Sequence, residues 1–224
     1  DDGFRPVPDL DVASLLLPSA TPVWCHREHH PRARSLSMQR LNLQGFDDGF
    51  RPVPDLDVAS LLASHDNLGS VVFRFSSVGC EASSLGFATD IGRMQPDLIH
   101  FLSGVPTLAI ESNYCPVLQQ ASDRPQFLKD RIMNGHGHLS NAQCHAAVRS
   151  IAPTHRVVLL HLSRQCNTPE RAALPHRNAG YELVLSHAVN STQWLELKPS
   201  TRPSAPRIPR SLFEGLPAPG LRHG

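Results

Sequence analysis

From about residue 65 onward, apolar positions arrive in short blocks that switch between two periods. Ser70 to Phe75 (S-V-V-F-R-F) and Leu85 to Thr89 have the β-branched and aromatic character of strands. Thr107 to Ile110 is an unbroken apolar run ending at Glu111, which predicts a buried strand. Arg156 to His161 is the clearest strand, with four apolar residues from Val157 to Leu160. Helical signals fall between these runs. Pro96 opens a short helix to Leu102. Phe127, Leu128, Arg131 and Ile132 have helical spacing within Arg124 to Met133. Ser140 caps a helix running to Ile151, with Gln143 at the capping-box position. Thr168 caps another that starts at Pro169 and is cut short by Pro175. Tyr181 to Ala188 and Thr192 to Leu197 read as a closing hairpin around Asn190 and Ser191. Strand and helix in alternation predict an α/β domain.

The first third is less regular. Pro22 to Trp24 fits a short buried strand, and a helical-looking stretch runs on to Leu43. D-D-G-F-R-P-V-P-D-L-D-V-A-S-L-L occurs at Asp1 to Leu16 and again, unchanged, at Asp47 to Leu62. Structural repeats drift, because only their core positions are constrained, so identity at surface positions marks a recent duplication or an error of sequence assembly. Two copies are too few for a solenoid. The second copy runs smoothly into the domain and is read as native. The chain therefore divides into a duplicated segment (1–16), a domain (17–199) and a tail (200–224) rich in Pro and Arg. That tail cannot bury enough apolar surface to order itself.

Composition narrows the field only slightly. The 224 residues suffice for one domain with a real core. A net charge of +1 and the lack of a basic run give no electrostatic footprint for nucleic acid. No apolar run reaches the roughly 18–20 residues of a membrane span, so no membrane partner is expected, and the scattered cysteines make a reducing cytoplasm the default. The 5 cysteines include no C-x-x-C pair. Most of the 13 histidines are expected to be surface residues. His26, Glu28, His29 and His30 crowd together, but H-x-x-H-H is not H-E-x-x-H, and a solvated helix start is expected there. A small zinc module around Cys25, His26, His29 and His30 is a remote alternative.

The candidate chemistry sits where strands give way to loops. His65 precedes the Ser70 strand, Asp90 follows the Leu85 strand, and His161 ends the Val157 strand. Imidazole and carboxylate suit Zn²⁺, Mn²⁺ or Fe²⁺, and an Asp can bridge two ions. His138 lies in the Gly-flanked G-H-G-H-L-S-N (Gly135 to Asn141), followed by Ser140 and Asn141. Such a loop can approach a phosphate, with His138 protonating a leaving oxygen.

Taken together, S-H-D, F-R-F, A-T-D-I-G, I-E-S-N-Y, the run from Phe127 to Asn141 and L-L-H-L-S-R-Q-C-N-T-P-E resemble the YycJ-like branch of the metallo-β-lactamase superfamily over roughly 46–199. The resemblance implies an αββα sandwich and a hydrolase of phosphodiester bonds, of nuclease or cyclic phosphodiesterase type. It implies two divalent ions, zinc or manganese, at one sheet edge. His65 and His161 would each bind one ion and Asp90 would bridge them. His138 would be the catalytic histidine, with Ser140 and Asn141 beside the substrate phosphate. Two departures stand out. The family's E-S-N-H-D is E-S-N-Y-C here (Glu111 to Cys115), which leaves Tyr114 without an assigned role, and H-x-H-x-D-H is absent from the sequence. Weak or partial metal binding, impaired hydrolysis and self-association through an uncovered sheet face are therefore expected. A non-catalytic binding module that keeps part of the fold is the alternative.

Overall fold

The computed structural model describes residues 21–31, 42–63, 69–188 and 190–200. The first repeat copy, His65 and nearly all of the 200–224 tail lie outside the described residues.

Two parallel strands, β1 (Pro22–His26) and β2 (Asn42–Phe46), form a small sheet. Leu43 therefore belongs to a strand, not to the end of a helix, because its backbone pairs with Val23. The short strand expected at Pro22 to Trp24 forms, but most of β1 is only half-buried.

A seven-stranded sheet carries the domain, in the order β3-β4-β5-β6-β7-β8-β9. Its first half is antiparallel: β3 (Gly49–Val53), β4 (Leu56–Ala63), β5 (Ser70–Ser77) and β6 (Cys80–Ala88). The second repeat copy is the β3–β4 hairpin. It is tied internally by Arg51 to Asp57 and by the Ser60 hydroxyl donating to the Asp47 carbonyl.

From β6 onward the sheet is parallel, and parallel neighbours require crossover helices. Helix α1 (Pro96–Leu102) leads to β7 (Thr107–Glu111). Then α2 (Pro116–Ala121), α3 (Gln126–Arg131), a π turn (Ile132–His136) and α4 (Asn141–Ile151) lead to β8 (Arg156–Leu160). Helix α5 (Pro169–Ala173) leads to β9 (Glu182–Leu185). The capping box expected at Ser140 and Gln143 is present in both directions. Thr168 caps α5 as its sequence predicts.

The core lies between this sheet and its helices. Val72, Ala88, Leu108, Ile110, Val157 and Leu159 meet Leu98 and Leu102 of α1 and Cys144, Ala147, Val148 and Ile151 of α4. All five residues of β7 are buried, as expected of a strand covered on both faces.

The expected closing hairpin does not form. β9 pairs parallel with β8 instead, and 190–200 contains no strand. The Arg156 guanidinium takes the Glu196 carbonyl at 2.8 Å, and the Ser200 N–H donates to the Ala82 carbonyl at 2.7 Å. These contacts hold the segment elsewhere, and β8 already satisfies β9.

Candidate metal centre

The parallel half of the sheet brings the ends of β6, β7 and β8 together, where sites form in open α/β sheets. Asp90 lies just beyond β6, Glu111 is the last residue of β7, and His161 follows β8. His138 arrives on the loop before α4. Glu111 sits at the centre. Its carboxylate is completely buried and accepts five hydrogen bonds. Oε1 receives the Ile91 N–H at 2.8 Å and the Leu139 N–H at 3.0 Å. Oε2 receives the Asp90 N–H at 3.1 Å, and the Nδ1 atoms of His138 and His161 both lie 3.2 Å from it.

Burial alone would raise the Glu111 pKa. The hydrogen bonds from His138, His161 and the Leu139 amide outweigh it and hold the group at about 2. The carboxylate is therefore ionised at neutral pH and can only accept. Both imidazoles must then carry a proton on Nδ1, so it is Nε2 of His161 that would face a cation. The two rings meet edge to face, 4.9 Å apart. The Glu111 hydrogen bond raises the His161 pKa; burial opposes this and Asp90 adds to it.

Asp90 Oδ1 stands 3.7 Å from each Nδ1. Asp90, Glu111, His138 and His161 offer donor atoms within 4.8 Å of one another, the one such group among the described residues. Glu111 is saturated by its five partners, so a cation would draw on Asp90, His138 and His161. Asp90 and His161 are close to half-exposed, and His138 less so. Carboxylate and imidazole together fit a borderline divalent cation.

The loops are packed tightly enough to fix this arrangement. A Cβ on Gly92 would lie 2.4 Å from the Gly135 carbonyl oxygen, so the Asp90 loop and the His138 loop touch backbone to backbone. Gly135 has a φ of 83°, which glycine adopts without strain.

Asp90 and His161 thus converge as their strand-end positions suggest, and His138 joins them from its Gly-flanked loop, whereas His65 lies outside the described residues. Ser140 and Asn141 are near but turned to other work. Ser140 is buried, and its hydroxyl caps α4. Its N–H goes to Gln143 and that of Asn141 to the Tyr114 carbonyl. The Asn141 and Asn167 amides face each other and exchange hydrogen bonds at 2.9 Å, while Ser112 donates to Asn141. The hydrogen-bonding groups expected to face a phosphate are taken up inside the fold. Tyr114 is also buried, in a small cluster with Ile132 and Cys166.

Sequence reasoning missed Glu111 as a site residue. The signal was an ionisable side chain at the end of an otherwise apolar, buried run, T-L-A-I-E. The other candidate, around Cys25 to His30, does not gather: Cys25 Sγ points to a backbone carbonyl and His26 Nδ1 accepts the Glu28 N–H.

No protein-family model matches the chain, and no curated protein matches it by sequence. Solved structures do match its shape. YhfI from Bacillus subtilis, a metallo-β-lactamase fold protein, aligns with a TM-score of 0.58 at 14% identity, over 80% of this chain and 68% of its own. The chain has the metallo-β-lactamase fold. Zn²⁺-bound PqqB from Methylobacterium extorquens gives 0.53 at 15% identity, over 73% of this chain and 62% of its own. A diphosphatase of the PhnP family gives 0.52 at 12% identity, over 78% and 61%. The chain thus spans less than two thirds of the last two. Among the described residues, no helix is long and apolar enough to cross a membrane.

Proposed function

We propose that the chain is a metal-dependent hydrolase of phosphodiester bonds, of the YycJ-like type, with its reacting centre built on Glu111. The observation that carries this reading is one buried carboxylate holding two imidazoles in the same tautomer. Histidines that ligate metals characteristically give their second ring nitrogen to a carboxylate, which fixes the ring and raises its basicity. Here one anion serves two rings. Asp90 and His161 are the metal donors, and Zn²⁺ or Mn²⁺ the ion. A bound cation polarises a phosphoryl oxygen and lowers the pKa of coordinated water. His138, oriented by the same carboxylate, supplies the proton to the leaving oxygen. The diphosphatase among the structural neighbours supports chemistry at phosphorus.

Two donors among the described residues hold an ion weakly, and the sequence has no H-x-H-x-D-H to add more. Slow turnover is therefore expected. The test is hydrolysis of bis(4-nitrophenyl) phosphate with added Zn²⁺ or Mn²⁺. Expected is slow, chelator-reversible cleavage, abolished in Asp90→Ala and His161→Ala. His138→Ala should lower the rate while retaining the metal. Metal-loaded chain that cleaves no phosphodiester, or an active Asp90→Ala, would refute the assignment.

A further inference from the structure

Asp90 and His161 share an uncommon backbone state. Each has a φ of 56°, in the left-handed region. Few non-glycine residues adopt it, although Asp and His do so more readily than most. The other two such residues among those described, Ala152 and Asn178, have ordinary settings: Ala152 is the C-cap of α4, and Asn178 lies in a turn. Asp90 and His161 instead stand just past the ends of two parallel strands, beside the same carboxylate. Strained conformations persist where the surroundings over-determine them.

Those surroundings have a common plan. The Ser70 hydroxyl, at the start of β5, donates to the Asp90 carbonyl at 2.7 Å. The Asn113 side-chain amide, two residues past β7, donates to the His161 carbonyl at 2.7 Å. Each left-handed residue thus has its carbonyl held by a side chain from another part of the sheet. Asn113 is itself fixed. Its N–H goes to the Leu139 carbonyl, and its own carbonyl accepts from Ser163 and Asn167. It is 7% exposed. The Glu111 contacts hold the Asp90 N–H and the His161 ring but leave both carbonyls free, so the two sets of bonds are complementary.

We infer that Ser70 and Asn113 are positioning residues, each clamping one left-handed residue so that the Asp90 carboxylate and the His161 imidazole meet over Glu111. Both act through backbone carbonyls rather than through the donor atoms of the site. The inference rests on the metal-centre reading for its consequence but not for its geometry, and two measurements keep these apart.

The first is made without metal. Backbone carbon chemical shifts of residues 90 and 161 report their φ directly. Ser70→Ala should move residue 90 out of the left-handed range while leaving 161 in place. Asn113→Ala should do the reverse, and Ser70→Thr, which keeps the hydroxyl, should restore residue 90. Ser150→Ala is the control: it removes a similar hydroxyl-to-carbonyl bond, at Ala146 on α4. The second measurement is Zn²⁺ affinity by competition with a chromophoric chelator. Ser70→Ala and Asn113→Ala should each weaken it by about 10–100-fold, the range for residues that orient ligands. Ser150→Ala should not. Left-handed shifts that survive both alanine substitutions would overturn the clamp. Wild-type chain that shows the expected shifts but binds no Zn²⁺ would instead refute the metal reading and leave the clamp standing.

Discussion

Two described regions of this molecule are rich in histidine, and only one of them gathers its side chains into a possible metal-ligand group. His26, His29 and His30 crowd into one short stretch, while His138 and His161 come from separate crossovers of the sheet. In the crowded region the rings are held by local contacts. His26 and His29 stand 5.8 Å apart, and burial, then the charge of His29, lowers the pKa of His26. Its Nδ1 is occupied by the Glu28 amide. In the other region a completely buried carboxylate draws both rings to one point. Local density of a ligand type therefore predicts little. A buried anion at the ends of adjacent parallel strands predicts much more, because burying a charge is tolerated only when partners are fixed around it.

Removing that anion should do most to erase the difference. Glu111→Gln replaces an acceptor of five hydrogen bonds with a group that must also donate. A loss of about 3–5 kcal/mol is expected, as for breaking a buried ion pair, and Zn²⁺ binding should go with it. Urea unfolding measures the first and chelator competition the second. A stable, metal-binding Gln variant would show that the carboxylate is not what gathers the rings.

A smaller effect should follow from moving the loops rather than the charge. In Gly92→Ala the new methyl group meets the Gly135 backbone at 2.4 Å, and neither loop can yield cheaply. About 1–3 kcal/mol of destabilisation is expected, with weakened Zn²⁺ binding. An unchanged melting temperature would mean that the contact is slack.

A histidine outside both regions sharpens the contrast through pH. His176 is buried, with Nδ1 2.6 Å from the Tyr181 hydroxyl. Burial, then the neighbouring His145, lowers its pKa to about 4. The unfolded chain takes up this proton near the ordinary value of about 6.5, earlier than the folded protein does. The stability from a neutral His176 is therefore complete above about pH 6.5 and declines as pH falls toward 4. Urea midpoints at several pH values should show this slope, and His176→Gln should flatten it.

The smallest effect belongs to the crowded region. His29→Ala should leave Zn²⁺ affinity unaltered and cost about 1 kcal/mol of stability, the loss of a half-buried ring beside His26. A measurable loss of bound Zn²⁺ would revive the zinc-module alternative around Cys25.

Much of the parallel half was legible in the chain. The runs at Thr107 and Arg156, the Ser140–Gln143 box and the Thr168–Pro169 start are local signals, and each element formed where its signal lay. The closing hairpin was misread because alternation does not say which partner a strand takes, and β8 was available to β9. Asp90, His138 and His161 were picked out by type and position, and the fold brings their side chains together. Ser140 and Asn141 lay in the right loop, but a sequence cannot say that Tyr114, Gln143 and Asn167 take up their hydrogen bonds. The resemblance to metallo-β-lactamases named the fold that the structural neighbours share.

The sequence by itself determined where several elements of the parallel half begin, because caps and prolines act over a few residues. It also determined which residue types stand at the strand ends. Only the tertiary structure decided that three of those ends lie side by side, that Glu111 is buried beneath two imidazoles and ionised there, and that Asp90 and His161 adopt left-handed backbones. Each of these depends on contacts between residues far apart in the chain, where burial and hydrogen bonding set the energy and no local pattern records the partner.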